Sequence, residues 1–166
     1  VEAVFARGTF APQGFGEIGD DFVNALRAKL GGKSVNAYAV VYPASTDFPT
    51  AVDGIRDAAN HIENVAARCP NTRQVLGGYS QGAAVVDMLL GIPPLGSKVG
   101  DVGSAPPMPQ SLASRVAAVA VFGNPSTKFG IPVSAALAPF AGKGIDLCAD
   151  GDPICSAWTV TVARGT

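Results

Sequence analysis

Histidine is nearly missing: His61 stands alone among 166 residues. A zinc site draws four ligands from a small set of side chains, and the one histidine lies far in sequence from Cys148 and Cys155. Charge is thin as well. Twelve basic and thirteen acidic side chains leave a formal −1, only 15% of the chain is charged, and basic residues form no run. Nucleic acid is therefore an improbable partner, since phosphate neutralisation needs clustered Lys and Arg. No apolar stretch nears the ~20 residues of a membrane-spanning helix. Val1 opens the chain with neither a basic segment nor a signal-like apolar stretch, as expected of a mature soluble protein.

What is present is apolar and small. Hydrophobic residues make up 48% and mean hydropathy is +0.28, which suits a sheet covered on both faces. A chain of this length can bury roughly 70% of its unfolded surface, enough for one core. No internal repeat or composition shift divides it, so residues 1–166 read as one domain, and a monomer is the default expectation.

Of the three cysteines, Cys148 and Cys155 stand seven apart around Gly151 and Pro153. A turn there brings two Cα atoms into disulfide range. That bond predicts an oxidising compartment, hence secretion or a cell-wall location, and leaves Cys69 without a partner in this sequence.

Apolar patterning alternates between strands and helices. Val1–Ala6 reads as a strand ending at Arg7-Gly8-Thr9. Ile18, Phe22, Val23, Leu26 and Leu30 follow the helical period up to Gly31-Gly32. Val35–Tyr42 is a second strand. Thr50 is placed to cap a helix over 50–68 with Ala51, Ile55, Ala58, Ile62, Val65 and Ala66 buried. Arg73–Tyr79 is a third strand, followed at once by a helix from Ser80 through Leu89. The Pro- and Gly-rich segment 91–110 reads as a long surface connection. Val116–Phe122 is a fourth strand and Ile145–Cys148 a short fifth. This order predicts an α/β fold of three layers, α/β/α, about a central parallel sheet of about five strands.

Chemistry concentrates in Gly78-Tyr79-Ser80-Gln81-Gly82, a G-x-S-x-G between a strand and a helix. Such a turn lifts a serine hydroxyl above the sheet edge and leaves the next amide free to stabilise an oxyanion. A glycine-rich turn in which Ser80 only caps the helix is the alternative. A serine nucleophile needs a base, usually a histidine oriented by a carboxylate, and in this class both follow the serine. Asp152 suits the acid role because the Cys148–Cys155 loop would hold it; a turn aspartate before Pro153 is the plainer reading, and Asp146 and Asp150 compete. His61 precedes Ser80 on a helix and reads as a surface residue.

The sequence resembles the cutinase family, above all the cutinase-like proteins of mycobacteria and related actinobacteria. The resemblance rests on ARGT at 6–9, YPAS at 42–45, CPNT at 69–72, GGYSQG at 77–82 and CADGDPIC at 148–155, and runs from about Val1 to Cys155. It implies an α/β-hydrolase fold and a cofactor-free serine esterase or lipase acting through an acyl-serine. Ser80 is then the nucleophile and Asp152 the acid. Thr9 and Gln81 form the oxyanion hole through their backbone amides, with the Thr9 hydroxyl as a further candidate donor. It also implies a second disulfide from Cys69 to a cysteine ahead of the first strand, here read as lost by truncation. The family's histidine follows the GDPIC cysteine by ten or more residues; the tail Ala157–Thr166 lacks it and reads as altered. Short to medium acyl esters or lipids are the expected substrates, with Phe10, Pro12, Phe15, Pro43 and 91–110 as candidate borders of an acyl groove. A catalytically inactive relative that binds esters or lipids is the alternative.

Overall fold

The computed structural model describes residues 1–92, 105–136 and 138–156. Five strands, β1 (Glu2–Ala6), β2 (Asn36–Ala39), β3 (Gln74–Tyr79), β4 (Val116–Phe122) and β5 (Gly144–Leu147), form one sheet in the order β2-β1-β3-β4-β5. All pairs are parallel. The helices are α1 (Gly16–Leu30), α2 (Ala51–Arg68), α3 (Gln81–Leu89) and two single turns, α4 (Pro125–Lys128) and α5 (Ala138–Ala141). The expected α/β/α layering is thus observed.

Side-chain alternation along the strands assigns each face its cover. Val4, Ala6, Leu76, Val119 and Val121 pack with Ile55, Ala58 and Ile62 of α2 and Val85, Val86 and Leu89 of α3. On the other face Phe5 meets Phe22 of α1 and Phe122, with ring centroids 5.7 and 6.4 Å away. Phe5 needs neighbours without side chains: a Cβ on Gly19 or Gly77 would stand 2.6 or 2.8 Å from its ring. Full burial of such a side chain stabilises by roughly 1.5–3 kcal/mol.

Three expectations change. The second strand stops at Ala39 because Tyr42 turns inward, where its hydroxyl donates to the Arg7 carbonyl. Thr50 does not cap α2; its hydroxyl donates to the Asp47 carbonyl at 2.6 Å, within a 3-10 turn over Phe48–Thr50. The 91–110 connection is not wholly superficial: Ile92 and Met108 are buried, the Met108 amide donates to the Leu89 carbonyl, and a 3-10 turn begins at Gln110. Residues 93–104, and the tail 157–166, lie outside the described residues.

Beneath the carboxyl ends of β4 and β5 sits a polar cluster. The Asn124 amide donates to Asp87 Oδ1 and Asp146 Oδ1, each at 3.0 Å. Asp146 also accepts from Thr127 Oγ1 at 2.8 Å and the Val133 amide at 2.7 Å. Asp87, on α3, is almost fully buried. Burial pushes its carboxyl up to about 8, hydrogen bonds from Ser126 and Asn124 offsetting part of the rise and the Asp146 charge adding to it.

In the unfolded chain an aspartate ionises near its ordinary value of about 3.9. Between there and about pH 8 the unfolded state therefore holds fewer protons than the native state, and stability falls as pH rises. Asp87→Asn, whose amide oxygen can still accept from Asn124, removes this dependence. Thermal denaturation should show the variant gaining on the parent steadily from about pH 5 to about pH 8; an offset that does not vary with pH refutes the assignment.

Candidate active site

The order β2-β1-β3 puts a switch point between β1 and β3, whose following helices α1 and α3 leave toward opposite faces. Ligand crevices in open parallel sheets form at such points, outside the carboxyl ends of the strands. Two loops meet there, one after Ala6 and one at Ser80.

Ser80 has φ 55° and ψ −114°, a left-handed region that a side chain rarely adopts. Conformations of this kind cost about 1–3 kcal/mol and persist only where the surroundings hold them. Here the Ser80 amide donates to the Phe122 carbonyl at 2.9 Å, and the Ser80 carbonyl accepts from the Ala84 amide at 3.2 Å. The side chain makes no capping bond to α3, so the helix-cap alternative finds no support in the geometry. The flanking glycines are steric necessities. A Cβ on Gly78 would lie 2.3 Å from the Gly82 carbonyl oxygen, and one on Gly82 would lie 1.9 Å from that of Ala6.

This close approach presses the end of β1 against the start of α3, and the side chains after each meet. The Thr9 hydroxyl donates to Gln81 Oε1 at 3.2 Å. Gln81 is itself buried, and its Nε2 finds no hydrogen-bond partner among the described residues. The Thr9 loop carries its own strain: Phe10 has φ 65° and Ala44, whose carbonyl accepts from the Phe10 amide at 2.8 Å, has φ 49°.

Cys148 and Cys155 are joined by a disulfide with Cα atoms 5.9 Å apart. Asp152 lies inside this loop, its amide donating to the Ala149 carbonyl and its carbonyl accepting from the Ser156 amide. Asp152 Oδ1 accepts from the Ile154 amide at 2.7 Å. Its Oδ2 faces Gly123, 3.8 Å from where a Cβ would stand. Gly123 follows β4, next to the Phe122 that anchors Ser80, and the Tyr79 ring lies between Gly123 and Gly8. Thr9, Ser80 and Asp152 are thus gathered along one edge of the sheet. Asp146 is committed to three donors in the buried cluster, and Asp150 is exposed.

His61 is elsewhere. Its Nε2 lies 2.7 Å from Glu2 Oε1 and its ring stacks on Tyr38 at 3.6 Å. Glu2 is in register with Gln74, six residues before Ser80, so at ~3.3 Å per strand residue about 20 Å separates the two ends. Pro12 and Phe15 line an open depression with Gln13, Glu17, Asp20 and Asp21, and Ser80 is not among its lining residues. Phe10 and Pro43 are exposed, and Cys69 is an exposed free thiol. Arg7 and Tyr42 hold the Thr9 loop; the sequence places them in ARGT and YPAS without showing what either side chain does.

A parallel sheet with its serine on a strained strand-to-helix turn is the arrangement of the α/β-hydrolase class. Within that class the chain belongs to the cutinase family, whose model, described as Cutinase, matches residues 1–164. It is 48% identical to Phospholipase Culp4 of Mycobacterium tuberculosis over 93% of this chain and 66% of that protein. To Carboxylesterase Culp1 of the same organism it is 43% identical, over 94% of this chain and 68% of the relative. Probable carboxylesterase Culp3 is matched over 56% of its length, so the chain spans from just over half to about two thirds of these relatives. Among solved structures, Trichoderma reesei cutinase in complex with a phosphonate inhibitor aligns with a TM-score of 0.72 at 36% identity, covering 93% of this chain and 63% of that one. The catalytic core of acetyl xylan esterase from the same fungus gives 0.74 at 27%, covering 94% and 85%.

Gly82→Ala should cost about 3 kcal/mol or more, because the clash is with backbone rather than a movable side chain. Gly142→Ala, with nothing within 4 Å of its Cβ, should stay within about 0.5 kcal/mol. Urea denaturation of both variants checks this, and equal midpoints would refute the packing account.

Proposed function

We propose that the chain is a carboxylic ester hydrolase with Ser80 as nucleophile, acting on short to medium acyl esters or lipids. The observation that carries this reading is the Ser80 turn, held at φ 55° beside the bonded pair Thr9 and Gln81. Ser80 Oγ adds to the ester carbonyl, and the negative charge that develops on the carbonyl oxygen is taken by the amides of Thr9 and Gln81. The α3 dipole adds to this stabilisation at its amino end. The Ser80 proton passes to a base and from it to the leaving oxygen, so that collapse of the tetrahedral intermediate expels the alcohol and leaves acyl-Ser80, which water hydrolyses to the free acid and Ser80. Asp152 is the carboxylate that orients the base, held for that task by the 148–155 disulfide. The names of the relatives, a phospholipase and carboxylesterases, support an acyl ester as substrate class. The disulfide also favours an oxidising, extracellular location.

Residues 1–166 bring no histidine to Ser80, since the single one sits with Glu2 at the far end of the sheet. That observation motivates a second reading, an ester- or lipid-binding protein without turnover. An oxyanion hole and binding alone retain roughly 10³–10⁴-fold catalysis over water when a triad member is absent, so residues 1–166 on their own should hydrolyse esters slowly rather than not at all.

Hydrolysis of p-nitrophenyl butyrate separates the two. Ser80→Ala should bring the rate down to that of buffer, whereas His61→Ala should leave it within about twofold of the parent, and added imidazole should raise the Ser80-dependent rate by supplying the base. Identical rates for parent and Ser80→Ala would leave only the binding reading.

A further inference from the structure

We propose that Arg7 is a positioning residue for the ester chemistry: its buried guanidinium fixes the loop that carries Thr9 against the start of α3, without touching substrate. The inference rests on the reading of Thr9 as an oxyanion donor.

Arg7 is only 5% exposed, and no carboxylate pairs with it among the described residues. A buried cation without a counter-charge is costly unless its donors are satisfied. They are met by neutral acceptors. Nε donates to the Ala11 carbonyl at 2.8 Å, Nη1 to Gln13 Oε1 at 3.0 Å and Nη2 to the Pro43 carbonyl at 3.2 Å. The guanidinium also lies 5.2 Å over the Tyr42 ring, and the Tyr42 hydroxyl returns a hydrogen bond to the Arg7 carbonyl.

The placement of these acceptors is the telling feature. Ala11 follows Phe10 and Pro43 precedes Ala44, the two non-glycine residues with left-handed backbones that bond to each other. One planar fork therefore grips both strained segments from beneath, something a lysine ammonium cannot do at three divergent acceptors. Thr9 lies at the crown of the arch from Arg7 to Ala11, which the Ala11 amide closes onto the Gly8 carbonyl at 3.2 Å. The foot of that arch is pinned to α3, since a Cβ on Gly82 would lie 2.6 Å from the Arg7 carbonyl oxygen. Releasing the guanidinium frees the Thr9 amide to move relative to Ser80 while leaving the serine turn intact.

A displacement of about 1 Å can cost roughly 10²-fold in rate, and loss of one oxyanion donor roughly 10²–10³-fold. Arg7→Met should lower kcat for p-nitrophenyl butyrate by about 30- to 100-fold with KM within about twofold. Inhibition by a boronic acid, which forms a tetrahedral adduct on the serine, should weaken by a similar factor. Arg7→Lys should behave like Arg7→Met, because the fork rather than the charge does the holding. Gln13→Ala, at an exposed position that folding tolerates, should lower kcat severalfold. The proposal is overturned by a folded Arg7→Met with parental kcat, by a loss confined to KM, or by a Gln13→Ala with parental kcat where Arg7→Met fails to fold. Activity that survives Ser80→Ala counts instead against the site itself.

Discussion

The rest of the structure depends on the contact between the backbone of Gly82 and the last carbonyls of β1. No room for a Cβ remains there, so the first turn of α3 rests directly on the neighbouring strand. That contact forces the chain to reverse within one residue, and Ser80 absorbs the reversal with its left-handed backbone. The same contact fixes the distance between the Thr9 loop and Gln81. Steric exclusion and site geometry are here one constraint.

Polar burial supplies the second layer of order. Two clusters flank the turn, one around Arg7 and Tyr42 and one around Asp87, Asn124 and Asp146. Each spends desolvation on groups that apolar residues could replace, and such groups specify geometry more than they stabilise. The Arg7 cluster ties loop to loop by carbonyls. The Asn124 cluster ties α3 to the ends of β4 and β5, the segments that lead to Gly123 and the disulfide loop of Asp152.

Much of this was legible in the sequence, and the division has a physical reason. Val1–Ala6, Arg73–Tyr79 and Val116–Phe122 are apolar runs bounded by turn residues, and all three appear as strands within a residue or two of the expected limits. The α2 stripe was legible because Ala51, Ile55, Ala58 and Ile62 repeat at helical spacing within an eighteen-residue helix. Single-turn helices such as Pro125–Lys128 carry too few residues for any period to register. Val40 to Tyr42 looked like strand by composition, yet β2 ends at Ala39 and Tyr42 is buried against Arg7 instead of extending the ladder. Ser80 and Cys148–Cys155 were visible as local patterns. The task of Arg7 was not, although the residue stands in ARGT, because its acceptors at 11, 13 and 43 are spread over three separate places in the chain.

The central position of β1 has a consequence for how the protein comes into being. Its partner β3 lies 72 residues away, the same separation that spans the bond between Thr9 and Gln81. Closing so large a loop comes late, and parallel pairings of this range fold slowly. A ribosome would release β1 long before β3 exists to cover its edge. A half-folded species without β3 therefore holds a central strand with one open edge and only part of the Thr9–Ser80–Asp152 arrangement. The arrangement of Thr9, Ser80 and Asp152 is therefore completed all at once, and its presence doubles as a report that the whole topology has closed.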